Sequence, residues 1–197
     1  MTAKTPAPVV LTGTRIRLEP LDRSHAADLF AAVGGDEEVW RWIPIPLPRT
    51  EQDMLDVVDH YLDGSDSQPF AVIELATGRA VGITCFLDAN ARDELVEIGG
   101  TLYARSLWRT GVNTEAKILL LTHAFEELGM GRVMWKTDHR NERSQAAIRR
   151  LGAQYEGTFR RARRRPDGSW RDSVYFSMLA DEWPTAKQRL SERLAAG

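Results

Sequence analysis

A chain of 197 residues with 43% hydrophobic and 27% charged side chains has the make-up of one globular domain with a real core. A formal net charge of −2 argues for no particular partner, and the single cysteine, Cys85, excludes an intramolecular disulfide framework and a cysteine-based zinc site. No apolar run reaches membrane-spanning length and the N-terminus lacks the apolar stretch of a signal segment, so a cytoplasmic protein is expected.

Residues 1–9 carry Pro6 and Pro8 and read as a flexible tail, leaving a domain over 10–183 and a helical C-terminal tail over 184–197. Arg15–Leu21 alternates polar and apolar residues as a half-buried strand does. Ser24 is a cap candidate for a helix over His25–Val33, which Gly34-Gly35-Asp36 ends. In residues 39–48, Pro44, Pro46 and Pro48 forbid a helix and favour an extended loop. Its apolar side chains, Trp40 and Trp42 among them, must pack on the core or wall a substrate cleft. Thr50 caps a helix over Glu51–Leu62, with Met54, Val57, Val58 and Tyr61 at helical spacing.

Phe70–Leu75, Val81–Leu87 and Leu95–Tyr103 form three strands joined by turns at Thr77-Gly78 and Asn90–Glu94, an antiparallel meander. Then comes a turn with Thr110 and Gly111, with Asn113 as the N-cap candidate and Glu115 in the first helical turn. Leu121, Ala124, Phe125 and Leu128 give the helix one apolar stripe, and Gly129 stops it. A strand–turn–helix of this kind aims unpaired N–H groups outward, an anion site suited to a phosphate. Arg132–Thr137 is the next strand, parallel to 95–103 because a helix joins the two. A helix over Asn141–Leu151, strands over Gln154–Arg165 and Ser173–Leu179 about a turn at Pro166-Asp167-Gly168, and a partly helical tail complete the chain.

That order, with Glu97-Ile98-Gly99, Gly111 followed by Thr114-Glu115-Ala116, and Asn141-x-x-Ser144 followed by Leu151-Gly152-Ala153, resembles the GNAT N-acetyltransferases. The fit favours the RimJ/RimL-like branch of ribosomal-protein N-terminal acetyltransferases. The stretch 165–172 resembles this branch as well. The resemblance implies an α/β fold: a mixed, mostly antiparallel central sheet splayed at one parallel strand pair and flanked by helices. In the family's pyrophosphate signature, Trp108 takes the Gln/Arg place and Asn113 the Gly/Ala place, with Arg109 offset by one.

The resemblance also implies acetyl transfer from acetyl-CoA to a primary amine, on a protein N-terminus or a small molecule. Arg109, Thr110, Gly111, Val112, Asn113 and Thr114 would hold the pyrophosphate through backbone N–H groups. Gly99 and Gly100 mark a bulge that would turn backbone groups of Thr101, Leu102 and Tyr103 toward the thioester. Glu97 is the candidate base; it would share a strand face with Gly99 and Thr101. Asn141 and Ser144 lie on one helical face toward the cofactor, with Ser144 protonating the thiolate. Trp40, Trp42 and Phe86 are the candidate acceptor contacts.

His25, His60, His123 and His139 have no metal-ligand spacing, and no metal is expected. Residues 140–171 hold ten arginines against Glu142, Glu156 and Asp167. Arg160, Arg161, Arg163, Arg164 and Arg165 could protect a strand edge, bind the 3′-phosphate of CoA, or meet an acidic protein or RNA surface. The competing readings are a non-catalytic acyl-CoA-binding or regulatory module and an RNA- or ribosome-binding protein, although no RNA-binding motif accompanies the arginines. A monomer or homodimer is expected, without membrane contact.

Overall fold

In the computed structural model, residues 2–64, 67–165 and 167–196 are described. Of the turn expected at Pro166-Asp167-Gly168, Pro166 lies outside them, as do Met1 and Gly197 of the two tails.

Among the described residues, eight strands form one sheet in the order β1-β2-β3-β4-β5-β6-β8-β7. They are β1 Leu11–Thr12, β2 Ile16–Pro20, β3 Gln68–Glu74, β4 Arg79–Asn90, β5 Leu95–Tyr103, β6 Arg132–Asp138, β7 Gln154–Arg164 and β8 Trp170–Leu179. All neighbours are antiparallel except β5 and β6, the expected parallel pair. Helices α1 Ala26–Val33, α2 Glu37–Trp40 and α3 Glu51–Leu62 cover one face. Helices α4 Val112–Thr122, α5 Glu142–Leu151 and α6 Trp183–Ala195 cover the other.

Alternation explains both faces. On β3, Phe70 and Val72 enter the core under α4, while Ala71 and Ile73 enter the core under α1 and α3. A strand buried on both sides reads as a continuous apolar run. Thr50 caps α3 as expected, in a capping box with Asp53. Cys85 is a core side chain, and burial pushes its thiol far up, as expected of an inert cysteine.

Several local features differ from the sequence reading. Ser24 is no cap; Asp22 accepts its N–H and opens a short 3₁₀ turn, Arg23–His25, before α1. Val39 and Trp40 end the short helix α2, so the extended loop begins after them. Near the N-terminus Ala3 is buried and the Lys4 N–H bonds to Leu128 O at 2.8 Å. Helix α4 starts at Val112 with Gly111 as its N-cap, two residues earlier than an Asn113 cap implies. The reason lies across the fold. A Cβ on Gly111 would stand 2.6 Å from Arg15 Nη1 and 2.9 Å from Leu194 Cδ1. Packing against the β1–β2 turn and α6 sets the start, not side-chain capping preference.

Glu115 in the first turn of α4 does more than meet the helix dipole. It is 3% exposed and accepts from Thr14 N (2.6 Å), Thr14 Oγ1 (2.7 Å), Arg15 N (3.0 Å) and Ile16 N (3.1 Å). This clamp fixes the β1–β2 turn to α4. Glu115→Ala strands three backbone donors at about 1–3 kcal/mol each if left unsatisfied. The melting temperature should fall by at least about 6 °C, taking ~2–4 °C per kcal/mol at this chain length. A variant melting within a degree of the parent would disprove the clamp.

Candidate active site

The site is built where β5 and β6 part. They pair only at Leu95–Arg132, Val96–Val133 and Glu97–Met134. Beyond Glu97, β5 continues with β4 alone and β6 with β8 alone, so a cleft opens between them. Tyr103 Oη on β5 and Trp135 Nε1 on β6 are buried polar atoms without a hydrogen-bond partner among the described residues. Orphans on both parted strands fit a ligand that brings polar groups of its own.

The expected bulge is present. Ile83 pairs with Leu102 and Cys85 with Gly99, so Thr84 faces two residues, Gly100 and Thr101. Gly100 has φ +57°, and a Cβ there would stand 2.9 Å from the Tyr61 ring and 3.1 Å from Cys85 Sγ. The Tyr61 hydroxyl donates to Gly100 O at 3.2 Å. The extra residue changes the strand's parity. Gly99 keeps Glu97 as its neighbour, but Thr101 turns to the α4 face instead of sharing theirs. There it meets Lys117, a residue the sequence reading missed. Lys117 Nζ, 5% exposed, donates to Thr101 Oγ1 (2.9 Å) and Thr84 Oγ1 (3.2 Å). Burial pulls this amine down to about 7. Its one sequence signal is a charge inside the otherwise apolar run Ala116–Leu121.

Glu97 is 4% exposed. Burial pushes its carboxyl up, against the opposing charge of Lys136. Lys136 Nζ stands 2.6 Å from Glu97 Oε2 and 2.7 Å from Asp88 Oδ2. Asp88 is 60% exposed, and the Lys136 hydrogen bond holds its carboxyl below the usual range. The three residues come from adjacent strands β4, β5 and β6. They connect a buried carboxylate through an ammonium to an exposed one.

The turn before α4 is strained where the anion site was expected: Arg109 has φ +64°. Trp108 Nε1 donates to Tyr103 O at 3.2 Å, tying the turn to the end of β5. Thr110 Oγ1 accepts the Val112 N–H at 3.3 Å. Gly111, the N-cap, has no side chain to cap α4, so the N–H groups of Asn113 and Thr114 keep the outward character of a first turn. Arg15 beside Gly111 adds a cation there. The guanidinium of Arg143, on α5, stacks 3.6 Å over the Trp108 ring and bridges the two helix starts.

On α5, Asn141 is the N-cap and accepts the Ser144 N–H at 3.0 Å. Both are half-buried, and the Ser144 hydroxyl is not engaged among the described residues. Two expected acceptor contacts lie elsewhere. Trp40 is 4% exposed and donates from Nε1 to Val33 O at 2.8 Å, which makes it core. Phe86 is fully buried edge-on to Phe70, because the wide β4 strand is covered on both faces. Trp42 is half-buried and lines a recess with Asp138 and the arginines of the β7–β8 hairpin.

Among the described residues, no group of three His, Cys, Asp or Glu side chains is placed to hold a metal, and no helix is long and apolar enough to cross a membrane.

The acetyltransferase (GNAT) domain family matches residues 15–154. YdaF of Bacillus subtilis strain 168, provisionally named a ribosomal N-acetyltransferase, is 27% identical over 173 residues, 86% of this chain and 92% of that protein. A GCN5-related N-acetyltransferase from Brucella melitensis has a similar structure, with a TM-score of 0.93 and 30% identity over 98% of this chain and 88% of that one. RimJ of Mycobacterium smegmatis, solved with CoA-disulfide, matches with a TM-score of 0.81 and 21% identity over 94% of this chain and 95% of that one.

Proposed function

The chain belongs to the GNAT acetyltransferase family, and from that premise we propose that this acyltransferase moves the acetyl group of acetyl-CoA to a primary amine by direct attack. The amine is a protein N-terminus or a small molecule; the name given to YdaF supports the former. In this reading residues 10–183 are the catalytic unit, with α6 packed on it, and the enzyme works in the cytoplasm as a monomer or homodimer.

One observation carries the reading: β5 parts from β6 just beyond Glu97, and the same strand then carries the bulge and leads through the turn into the start of α4. Acetyl-CoA supplies an activated thioester. The turn and first helical residues 109–114 would hold its pyrophosphate, and the CoA-disulfide on RimJ supports a CoA ligand for this fold. Backbone N–H groups from Thr101 to Tyr103 would stabilise charge on the thioester oxygen. Lys117 would steady that bulge from below.

A primary amine, with a pKa of about 10, arrives protonated. Glu97 would take its proton, and the Lys136 ammonium, held between Glu97 and Asp88, would favour the ionised carboxylate that does so. Ser144 would protonate the departing thiolate, with Asn141 setting the start of its helix. Trp42 would flank the acceptor.

The test is thermal. Acetyl-CoA at about 100 times its Kd stabilises a native protein by ~2.7 kcal/mol. That is a rise of roughly 5–11 °C at ~2–4 °C per kcal/mol. Unchanged melting with saturating acetyl-CoA and CoA, and no heat in calorimetry, would end the reading.

A further inference from the structure

We propose that the acceptor is an amine that also carries an anionic group, a carboxylate or a phosphate, bound in the recess between loop 41–44 and the β7–β8 hairpin. The inference rests on the acyl-transfer reading above.

The recess has a surplus of cations. Its one acid, Asp138, is 3% exposed and already satisfied. Arg165 grips it in a two-pronged contact, Nε to Oδ2 at 2.7 Å and Nη2 to Oδ1 at 3.0 Å, and the Arg140 N–H adds a third bond at 2.9 Å. Arg163, Arg164 and Arg171 have no carboxylate within ion-pair distance among the described residues. Arg164 spends one donor on Gly168 O and lies 4.0 Å over the Trp170 ring. Arg171 is the informative one. Its Nε is buried with no hydrogen-bond partner among the described residues. Burial and the neighbouring charge of Arg163 depress its guanidinium, while Asp138 and Glu97 oppose them.

Protection of a sheet edge does not account for this. Arg160, Arg161, Arg163 and Arg164 are exposed on the edge strand β7, where charges discourage pairing. Arg171 sits on the inner strand β8, half-buried, and its unpartnered donor costs free energy unless an anion meets it. A guanidinium fork matches a carboxylate or phosphate in two-point geometry.

The recess also adjoins the chemistry. Asp138 lies two residues beyond Lys136 on β6, hence on the face that carries Lys136 and Glu97. The charge of Glu97 reaches Arg171. An acceptor with its amine at Glu97 would set its anion at Arg171, with Trp42 against its apolar link.

Three matched pairs test this: 4-aminobutyrate against butylamine, O-phosphoethanolamine against ethanolamine, and Ser-Glu-Ala-Ala amide against Ser-Gln-Ala-Ala amide. In at least one pair the anionic member should have a kcat/KM at least tenfold higher, carried by KM; which pair does so identifies the source of the anion. Arg171→Met and Arg163→Gln should each raise that KM at least tenfold more than the KM of its neutral twin or of acetyl-CoA. Calorimetry with glutarate and with methyl phosphate gives a readout free of turnover: heat in the parent, lost in both variants. If acetyl-CoA raises the melting temperature but no pair discriminates, the anion site is wrong and acyl transfer stands. If acetyl-CoA has no effect, acyl transfer fails, and absence of anion heat overturns the site as well.

Discussion

Replacing Glu97 by glutamine is expected to lower kcat by about 10²–10⁴-fold, the range a positioned proton acceptor contributes. The change is isosteric. Lys136 keeps Asp88 as its partner, so the fold should hold. What disappears is the buried carboxylate at the point where β5 and β6 part. The pH profile separates this from a structural effect. The active form is the carboxylate, lost as pH falls through its folded pKa. Burial raises that pKa, so the acid limb of kcat/KM should lie above the ordinary glutamate value of 4.5. In Glu97→Gln that limb should vanish, and the deficit should shrink at high pH, where the amine is already neutral. Parental kcat in the variant at pH 7, measured where chemistry limits turnover, would remove Glu97 from the reaction.

Gly100→Val should cost both stability and turnover. Gly100 has φ +57°, where a β-branched residue is strained by about 1–2 kcal/mol. Its new Cβ would meet the Tyr61 ring at 2.9 Å and Cys85 Sγ at 3.1 Å, overpacking worth about 1–3 kcal/mol. The melting temperature should fall by roughly 4–20 °C at ~2–4 °C per kcal/mol. Because the same residue shapes the bulge, kcat of the folded fraction should drop by about 10²-fold or more, the cost of removing one oxyanion donor. Gly35→Val is the control: its φ is +67°, yet nothing lies within 4 Å of its Cβ. If the two variants lose equal stability and neither loses turnover, the bulge has no part in the site.

The strands and helices that repeat a simple period were legible in the sequence. Leu95–Tyr103 and Glu51–Leu62 appear with the expected limits, and the parallel partner of β5 runs one residue past Thr137, to Asp138. What escaped depends on contacts remote in the chain. The parity change at Gly100 sends Thr101 to the wrong face for a strict alternation rule. Phe86 alternates as a cleft residue would, but β4 is covered on both sides. The Asp88–Glu97–Lys136 row assembles only when three strands align. The donor deficit at Arg171 is invisible until burial is known. Gly111 and Asn113 could each cap α4 by preference, and Arg15 and Leu194 decide between them.

Helix α4 does not end as an ordinary helix. It widens into a π-helical turn, His123–Glu127, where the Leu128 N–H reaches back five residues to His123 O at 2.9 Å. Such a turn absorbs one residue that a regular helix has no room for. Deleting a single residue from 123–127 would restore regular winding. It would also rotate the helix start against the Leu128–Met130 anchor by about 100° and draw it in by about 1.5 Å, one residue's share of twist and rise. Lys117 would leave the bulge, Glu115 would leave the Thr14–Ile16 clamp, and the open N–H groups would swing from the cleft. Length at this turn is therefore fixed by the far end of the helix, and chains that gain or lose one residue here must change both ends together.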